Sequence, residues 1–426
     1  MKAEVLVSGN TSFTIMIRAI LLVAYFISLY VIIFWLSVLI EKRAPKPKPI
    51  KAFPRVTICI PAYNEEKNIA ETLSSIAHLD YPRKKLQIIV VNDGSKDKTR
   101  EEIEKFIKKH RKWNIEFIEQ KNKGKAAAMN AGLKTTRGEY FVSLDADCSV
   151  SKDALKKILP YFCRNVGAVL PLIKVKDKDT IMRKIQWGEY VINFFYKKLI
   201  GELDCIHVTP GPFSVYKTKI MKDIGGYDEG NLTEDLEIAL KIQKRNYKIV
   251  QILSTTIYTK APATLRAFCK QRNRWYKGSV LNLIKYREML FNKKYGDLGT
   301  FFLPMILISA IASITLLVVT GIFIIARPLV LKVNDLFVVG FDINSMFQSF
   351  INHFVVFDID YAPLFLGIIL FIFSFIFLLM SYRHGKESIK KNIAPIALYL
   401  FLYPFIIGVI WVVVFFDIAF RRRQRW

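Results

Sequence analysis

Four stretches of the chain carry no Asp, Glu, Lys or Arg and are long enough to cross a lipid bilayer, at residues 19–40, 300–326, 361–381 and 393–416. A transmembrane helix needs about 20 mainly apolar residues, whereas a core helix of a soluble domain is shorter and has a polar face. The first stretch is too long for a signal peptide and is followed by Glu41-Lys42-Arg43, which indicates a retained anchor. We therefore expect a multi-pass integral membrane protein.

The charged residues lie outside these stretches and are strongly basic, with 63 Lys and Arg against 36 Asp and Glu. Lys and Arg beside membrane spans indicate a cytoplasmic face that attracts anionic lipid and anionic substrates. We expect no nucleic-acid partner; a module that bound nucleic acid through the net charge of +27 would show a steep salt dependence. The five cysteines form no C-x-x-C pair, so neither a disulfide framework nor a cysteine metal site is expected.

Composition and periodicity divide the chain into five parts. Residues 1–43 form the membrane anchor, and residues 44–54 form a Pro/Lys linker that alternating prolines make stiff. Residues 55–262 form a cytoplasmic domain, 263–299 an amphipathic region at the membrane interface, and 300–426 a C-terminal membrane region of about three spans. This count places the C-terminus outside, whereas the basic segment 421–426 favours the cytoplasm, so the sequence leaves that side open.

The cytoplasmic domain, residues 55–262, alternates short apolar strands with helices. Strands are predicted at 56–60, 86–91, 115–118 and 140–145, and a helix follows each of the first three. Continuous apolar strands of this kind indicate an α/β, Rossmann-like domain whose mostly parallel sheet is covered on both faces. Ligands bind beyond the carboxyl ends of such strands, and the polar clusters 63–66, 92–95 and 145–147 lie there.

Asp145 and Asp147 come at the end of the fourth predicted strand, one residue apart. Side chains alternate along a strand, so the two carboxylates would point the same way. Like charges this close repel each other unless a cation lies between them, and Mg²⁺ or Mn²⁺ suits carboxylates combined with substrate phosphates. An ordinary acidic turn remains the alternative.

Other polar residues suit the recognition of a nucleotide. Asp93, on an Asp-Gly turn, could bind a ribose hydroxyl or a base N–H, or could simply form the turn. Lys125 begins a helix after the basic loop 120–124, and a helix N-terminus with Lys favours phosphate. The phosphate loop pattern G-x-x-x-x-G-K-[ST] is absent.

Two further segments carry candidate catalytic and acceptor residues. Asp235 opens an amphipathic helix, where it could act as a general base or only complement the helix dipole. Arg274 could clamp a diphosphate through forked contacts. Trp275 offers a flat face to a sugar ring or an anchor at the membrane interface.

Five motifs, taken in order, resemble those of family 2 inverting glycosyltransferases with the GT-A fold. They are Pro61-Ala62-Tyr63-Asn64-Glu65, Asp93-Gly94-Ser95, Asp145-Ala146-Asp147, Thr233-Glu234-Asp235 and Gln271-x-x-Arg274-Trp275. More narrowly, the chain resembles the membrane-embedded hyaluronan, chitin, cellulose and poly-N-acetylglucosamine synthases. The resemblance covers residues 55 to 290.

The resemblance implies a role for each matching residue. The residues implied to bind the nucleotide-sugar are Ala62, Tyr63, Glu65, Asp93, Lys125, Asp145 and Arg274. Asp147 would ligate Mg²⁺ or Mn²⁺, and Asp235, beside Glu234, would be the catalytic base. The residues implied to border the acceptor are Gln271, Trp275 and Gly211.

The expected function is the transfer of a sugar, with inversion, from a nucleotide-sugar of the UDP class to a hydroxyl of a growing polysaccharide or oligosaccharide. The alternative is transfer of a single sugar to a lipid carrier or glycolipid. A transporter would carry charged residues within its spans, and these four stretches have none.

Overall fold

The computed structural model describes residues 19, 22–23, 25–39, 46–319, 361–389 and 393–420, together with positions 321, 322, 326, 327, 329, 330 and 333. The chain divides into two compact units. The first comprises Met1–Glu41 and Ala310–Met380, and its described part is largely helical. The second comprises Lys42–Ser309 and Ser381–Trp426 and contains the whole sheet.

The helices and strands of the described residues are numbered separately in chain order. The helices are α1 (Tyr25–Val38), α2 (Ile69–Ala77), α3 (Thr99–Lys109), α4 (Lys125–Thr135), α5 (Ala154–Ile158), α6 (Ile181–Glu202), α7 (Thr218–Asp223), α8 (Glu234–Lys244), α9 (Leu265–Lys285), α10 (Leu303–Val319), α11 (Tyr361–Gly385) and α12 (Ile393–Ala419). The strands are β1 (Val56–Ala62), β2 (Leu86–Asn92), β3 (Ile115–Glu119), β4 (Tyr140–Ser143), β5 (Ser149–Val150), β6 (Val166–Val175), β7 (Ser214–Lys217) and β8 (Lys248–Thr259).

All eight strands belong to one sheet, in the order β3-β2-β1-β4-β7-β6-β8-β5. β1 is parallel to β2 and β4, and β2 is parallel to β3. β7 is antiparallel to β4 and β6, whereas β6 and β8 are parallel. The sheet is therefore parallel in its first half, as predicted, and mixed in its second.

Burial explains why the first strands are so apolar. Every residue of β2 is buried, because this strand lies inside the sheet with helices on both faces. α4 lies on β1 and β2, and a Cβ at Gly132 would collide with Cys59 Sγ. Only glycine permits this close approach of helix and strand.

The Pro/Lys linker contacts the second unit. The Lys48 N–H donates to the carbonyl of Pro160 (2.8 Å), and Tyr81 Oη donates to the carbonyl of Pro54 (2.7 Å). Ile50 packs against the main hydrophobic core of the sheet. The described part of the Pro/Lys linker is therefore attached to the second unit by these contacts.

The two long helices α6 and α9 follow the capping residues Thr180 and Thr264, whose hydroxyls accept hydrogen bonds from backbone N–H groups of the first turn. α9 lies in the amphipathic region predicted at 263–299. The apolar side chains of α6, such as Trp187 and Phe195, are buried inside the protein, so the apolar face of α6 serves internal packing.

α12 packs against both α6 and α9 within the second unit. Tyr276 of α9 stacks on Trp411 at a ring-centre distance of 4.8 Å, and Asn273 donates to Asp417 Oδ2 (3.2 Å). The C-terminal apolar helix is therefore joined directly to the helix that carries Gln271-x-x-Arg274-Trp275.

Two helices of the described residues are long and apolar enough to cross a membrane by length and composition. They cover Leu364–Gly385 and Ile393–Ala419, with mean hydropathies of 2.8 and 2.5. The other two apolar stretches, 19–40 and 300–326, lie partly outside the described residues. Within their described parts, the apolar helices Tyr25–Val38 and Leu298–Ile311 are shorter than the two candidate spans.

Candidate active site

The loops that follow β1 and β2 are held together by hydrogen bonds. The Asn64 N–H donates to Ser95 Oγ (3.0 Å), and the Glu65 N–H donates to Thr99 Oγ1 (2.6 Å). Asn64 adopts a left-handed conformation, with φ of 55°, which asparagine tolerates better than most residues. These contacts position Ala62, which is buried at the end of β1, and Tyr63, which is 44% exposed.

Asp93 is buried and anchors the loop that leads into α4. Its Oδ1 accepts hydrogen bonds from Gln120 Nε2 (2.7 Å) and the Lys123 N–H (2.9 Å). Its Oδ2 accepts one from the Gly124 N–H (2.8 Å). A carboxylate has about four acceptor positions, and Asp93 uses three of them to fix the start of α4.

The acidic pair does not lie on a strand, which corrects the predicted end of β4. β4 ends at Ser143, and the Cys148 N–H donates to the carbonyl of Asp145 (3.2 Å), which makes 145–148 a turn. Strand alternation therefore cannot align the two carboxylates; the turn does. Oxygens of Asp145 and Asp147 and the Cys148 sulfur lie within 4.8 Å of one another.

The environment of this turn disfavours two negative charges. Burial raises the pKa of the Asp147 carboxyl, and the Asp145 charge raises it further. Burial also raises the pKa of the Glu65 carboxyl, to which the Asp147 charge contributes, so Glu65 lies near the same turn. Burial also raises the pKa of the Cys148 thiol. Hard cations such as Mg²⁺ and Mn²⁺ prefer oxygen ligands, so the two carboxylates are the groups of this turn that suit them.

Lys125, the first residue of α4, lies between two carboxylates. Its Nζ is 2.5 Å from Asp145 Oδ1 and 3.3 Å from Glu234 Oε1. Burial alone would lower the pKa of Lys125, but Asp145 and Glu234 outweigh burial and raise it, so the ammonium stays charged. A Cβ at Gly211 would collide with both members of the Lys125–Asp145 pair. Gly211 therefore lies in direct contact with this pair.

The predicted residues from the later motifs meet at one cavity of about 450 Å³. Nine of the predicted site residues line it: Lys125, Asp145, Asp147, Gly211, Glu234, Asp235, Gln271, Arg274 and Trp275. The other four, Ala62, Tyr63, Glu65 and Asp93, lie at the ends of β1 and β2 and are not part of its wall.

Asp235 is half-buried in the first turn of α8 and faces this cavity. Burial, reinforced by the neighbouring Glu234 charge, raises the pKa of Asp235 to about 6. The Asp235 carbonyl accepts hydrogen bonds from both the N–H and the hydroxyl of Thr209 (3.0 Å each). The backbone of the base candidate is therefore attached to the loop that carries Gly211.

Three buried residues support this site although sequence reasoning did not select them. Asn282 on α9 donates to Thr233 Oγ1 (2.9 Å), just before the two acids of α8. Glu189 on α6 pairs with Arg272 on α9 (2.6 Å). One sequence signal existed: Glu189 is the lone acid inside the apolar stretch 185–195, where an unpaired charge would be costly.

Comparison with known proteins shows which proteins this chain is similar to. Residues 57–225 match the family described as Glycosyl transferase family 2. A poly-beta-1,6-N-acetyl-D-glucosamine synthase of Staphylococcus epidermidis is 32% identical over 265 residues, which are 61% of this chain and 62% of the relative. The synthase of the same description from Staphylococcus aureus (strain COL) is 34% identical over 235 residues, 52% of this chain and 54% of the relative. The chain thus spans less than two thirds of the length of these curated relatives.

Among solved structures, a mannosyltransferase from Pyrobaculum calidifontis in complex with GDP-Man and Mn²⁺ shares the fold. The TM-score is 0.57 at 22% identity, over 74% of this chain and 90% of the other. The predicted GT-A fold is confirmed, and residues 57–225 match the predicted glycosyltransferase family. The chain therefore contains a glycosyl transferase family 2 domain built on the GT-A fold.

Proposed function

We propose that the protein is a membrane-bound glycosyltransferase that moves a sugar, with inversion, from a nucleotide-sugar to a hydroxyl of a growing saccharide. The observation that carries this proposal is the convergence of Lys125, Asp147, Asp235 and Trp275 on one cavity. These residues come from four separate parts of the chain. Their side chains supply a cation, a metal ligand, a base and a sugar platform.

The donor diphosphate would bind at the end of the cavity lined by Lys125, Asp147 and Arg274. Asp147, with Asp145 beside it, would hold Mg²⁺ or Mn²⁺, since burial and the Asp145 charge raise the pKa of Asp147 and a divalent ion would offset both effects. A bound divalent ion neutralises the charge of a departing diphosphate. Lys125 and Arg274 add positive charge at the same place, and Arg274 can make forked contacts.

Asp235 would remove the proton from the acceptor hydroxyl. Its pKa of about 6 keeps it mostly deprotonated at neutral pH, yet basic enough to accept a proton. The attacking oxygen forms its bond to the anomeric carbon as the bond to the diphosphate oxygen breaks. Attack from the face opposite the leaving group inverts that carbon. Glu234 pairs with Lys125, so Asp235 is the proposed base of this pair of acids.

Trp275 and Gln271 line the cavity and would border the acceptor sugar. A flat aromatic platform keeps the end of a chain in place between additions, which favours extension of a polymer. The relatives named as poly-beta-1,6-N-acetyl-D-glucosamine synthases support this reading. The second candidate is transfer of one sugar to a lipid carrier or glycolipid, which the two candidate membrane helices also suit.

Membrane attachment is supported by α12. This helix is apolar enough to span a bilayer and packs on α9, which carries the acceptor residues. A cytoplasmic catalytic unit would then work next to the bilayer, where a lipid or a polymer can reach the cavity.

An assay of nucleotide release tests the proposal. Detergent-solubilised protein with Mn²⁺ is incubated with a panel of UDP-sugars, with and without N-acetylglucosamine oligosaccharides, and the products are sized by mass spectrometry. Long chains support the polymer function, whereas one sugar on extracted lipid supports the second candidate. No nucleotide release with any donor, UDP- or GDP-linked, contradicts both.

A further inference from the structure

Arg272, next to Gln271 on α9, is completely buried and contacts the two predicted acceptor residues. Its Nη1 donates to Gln271 Oε1 (2.8 Å), and its guanidinium carbon lies 4.0 Å from the centre of the Trp275 ring. Gln271 and Trp275 line the cavity, whereas Arg272 lies behind that wall. Arg272 therefore supports the acceptor residues from the side opposite the cavity.

The stacked guanidinium occupies one face of the Trp275 indole. Trp275 also lines the cavity, so its indole contacts both the buried guanidinium and the space proposed for the acceptor sugar. Cation–π attraction is stronger when the pair is shielded from water, and Arg272 is 0% exposed. A ring already held in one plane loses less conformational entropy when a ligand binds.

Glu189 holds this guanidinium in place. Its Oε2 accepts from Arg272 Nη2 (2.6 Å), and Glu189 is itself 3% exposed. A buried guanidinium needs a compensating charge nearby. The hydrogen bonds and ring contacts of Arg272 all go to residues of α6 and α9, including the Phe268 ring at 4.8 Å. Glu189, Gln271 and Trp275 line the cavity, but none of the partners is Lys125, Asp147 or Arg274, the residues proposed to hold the donor diphosphate.

We propose that Arg272, held by Glu189, is a positioning residue that orients Trp275 and Gln271 and thereby sets the affinity for the acceptor but not for the donor. This inference rests on the proposed function. It assigns a role to a residue that never touches the substrate and to an ion pair between two helices that are distant in sequence.

The first test is Arg272→Lys, which keeps the charge but loses the planar group that stacks on Trp275. We expect the KM for an N-acetylglucosamine oligosaccharide acceptor to rise about tenfold, as expected for the loss of a buried cation–π contact. The affinity for UDP and the acceptor-independent hydrolysis of the donor should stay within about twofold of wild type. The proposal would be overturned if UDP affinity weakened as much as acceptor affinity, or if the acceptor KM did not change.

Arg266→Lys is the matched control, since Arg266 is exposed in the first turn of the same helix. The double variant Glu189→Met, Arg272→Met removes both buried charges together, a replacement that proteins often tolerate. We expect its Tm to stay near that of wild type while the acceptor KM remains high. Recovery of the wild-type acceptor KM would show that the ion pair only stabilises the fold.

A binding measurement separates this inference from the proposed function. If wild-type protein releases no nucleotide from any donor, the proposed function fails, but oligosaccharide binding can still be followed by tryptophan fluorescence, with Trp275→Phe as the reference. Arg272→Lys should then weaken binding about tenfold. Equal affinity, or no binding by the wild type, overturns the positioning role.

Discussion

Lys125 Nζ lies 2.5 Å from Asp145 Oδ1, so the first residue of α4 is joined directly to the acidic turn after β4. This pair sets the spacing between two residues proposed to hold the donor. Glu234 contacts the same ammonium at 3.3 Å. Lys125 therefore links Asp145 to Glu234, the neighbour of the proposed base Asp235.

Replacing Gly211 with alanine should displace this pair. A Cβ at this position would collide with Lys125 and Asp145, and misplacement of binding groups by about 1 Å can cost about 100-fold in rate. We expect kcat/KM for the donor to fall by about that factor while the Tm changes little. Gly230→Ala is the control, because its Cβ would only touch Asp228 at 3.6 Å. Full activity of Gly211→Ala would contradict the close contact.

Asp235→Asn should abolish transfer while UDP still binds. Asparagine keeps the shape of the side chain but cannot take a proton, and a general base contributes about 10²–10⁴-fold to a rate. Transfer is measured as product formed, and UDP affinity by calorimetry. Asp223→Asn, exposed at the end of α7, is the matched control. Normal turnover of Asp235→Asn would show that another group is the base.

The rate of transfer should fall as the pH drops through about 6. The pKa of Asp235 is raised to about 6, and the base must be deprotonated to act, so the active fraction decreases below that value. The measurement is kcat/KM for the acceptor as a function of pH, with acceptor-independent UDP affinity measured alongside. A rate that stays constant down to the ordinary Asp pKa near 4 would rule out this environment for the base.

Asp147→Ala should abolish the dependence of nucleotide binding on the metal. In the wild type, we expect Mn²⁺ to strengthen UDP binding and EDTA to reverse the effect, since Asp147 with Asp145 offers the carboxylate ligands. In the variant, UDP affinity should be weak and the same with or without Mn²⁺. An unchanged response to Mn²⁺ would remove Asp147 from the proposed metal site.

Asn282→Ala should loosen α9 from the start of α8. Asn282 is 0% exposed and bonds both Thr233 Oγ1 (2.9 Å) and Asn231 Oδ1 (3.0 Å). Loss of these bonds takes a donor from the buried Thr233 hydroxyl and should lower the free energy of unfolding by about 1–3 kcal/mol. Thermal unfolding measures the stability, and transfer assays should show a lower kcat. Asn165→Ala, at an exposed position, provides the comparison.

Much of the fold and several site residues follow from local sequence patterns. Apolar runs such as Leu86–Asn92 become central strands because only a sheet covered on both faces buries them completely. The polar clusters after β1, β2 and β4 lie at one edge because parallel strands end together. Each of these inferences depends on residues that are neighbours along the chain or repeat with the period of a strand.

The order of the later strands and the support behind the site were decided by tertiary packing. β7 pairs with β4, and this brings Gly211 against Asp145, although they are far apart in sequence. Glu189 and Arg272 are ordinary charged residues until α6 and α9 meet and exclude water from both. Local pattern thus determines which segments form strands, helices and polar loops. Only the folded chain determines which charges lose their water and must pair, because desolvation depends on neighbours that no local pattern specifies.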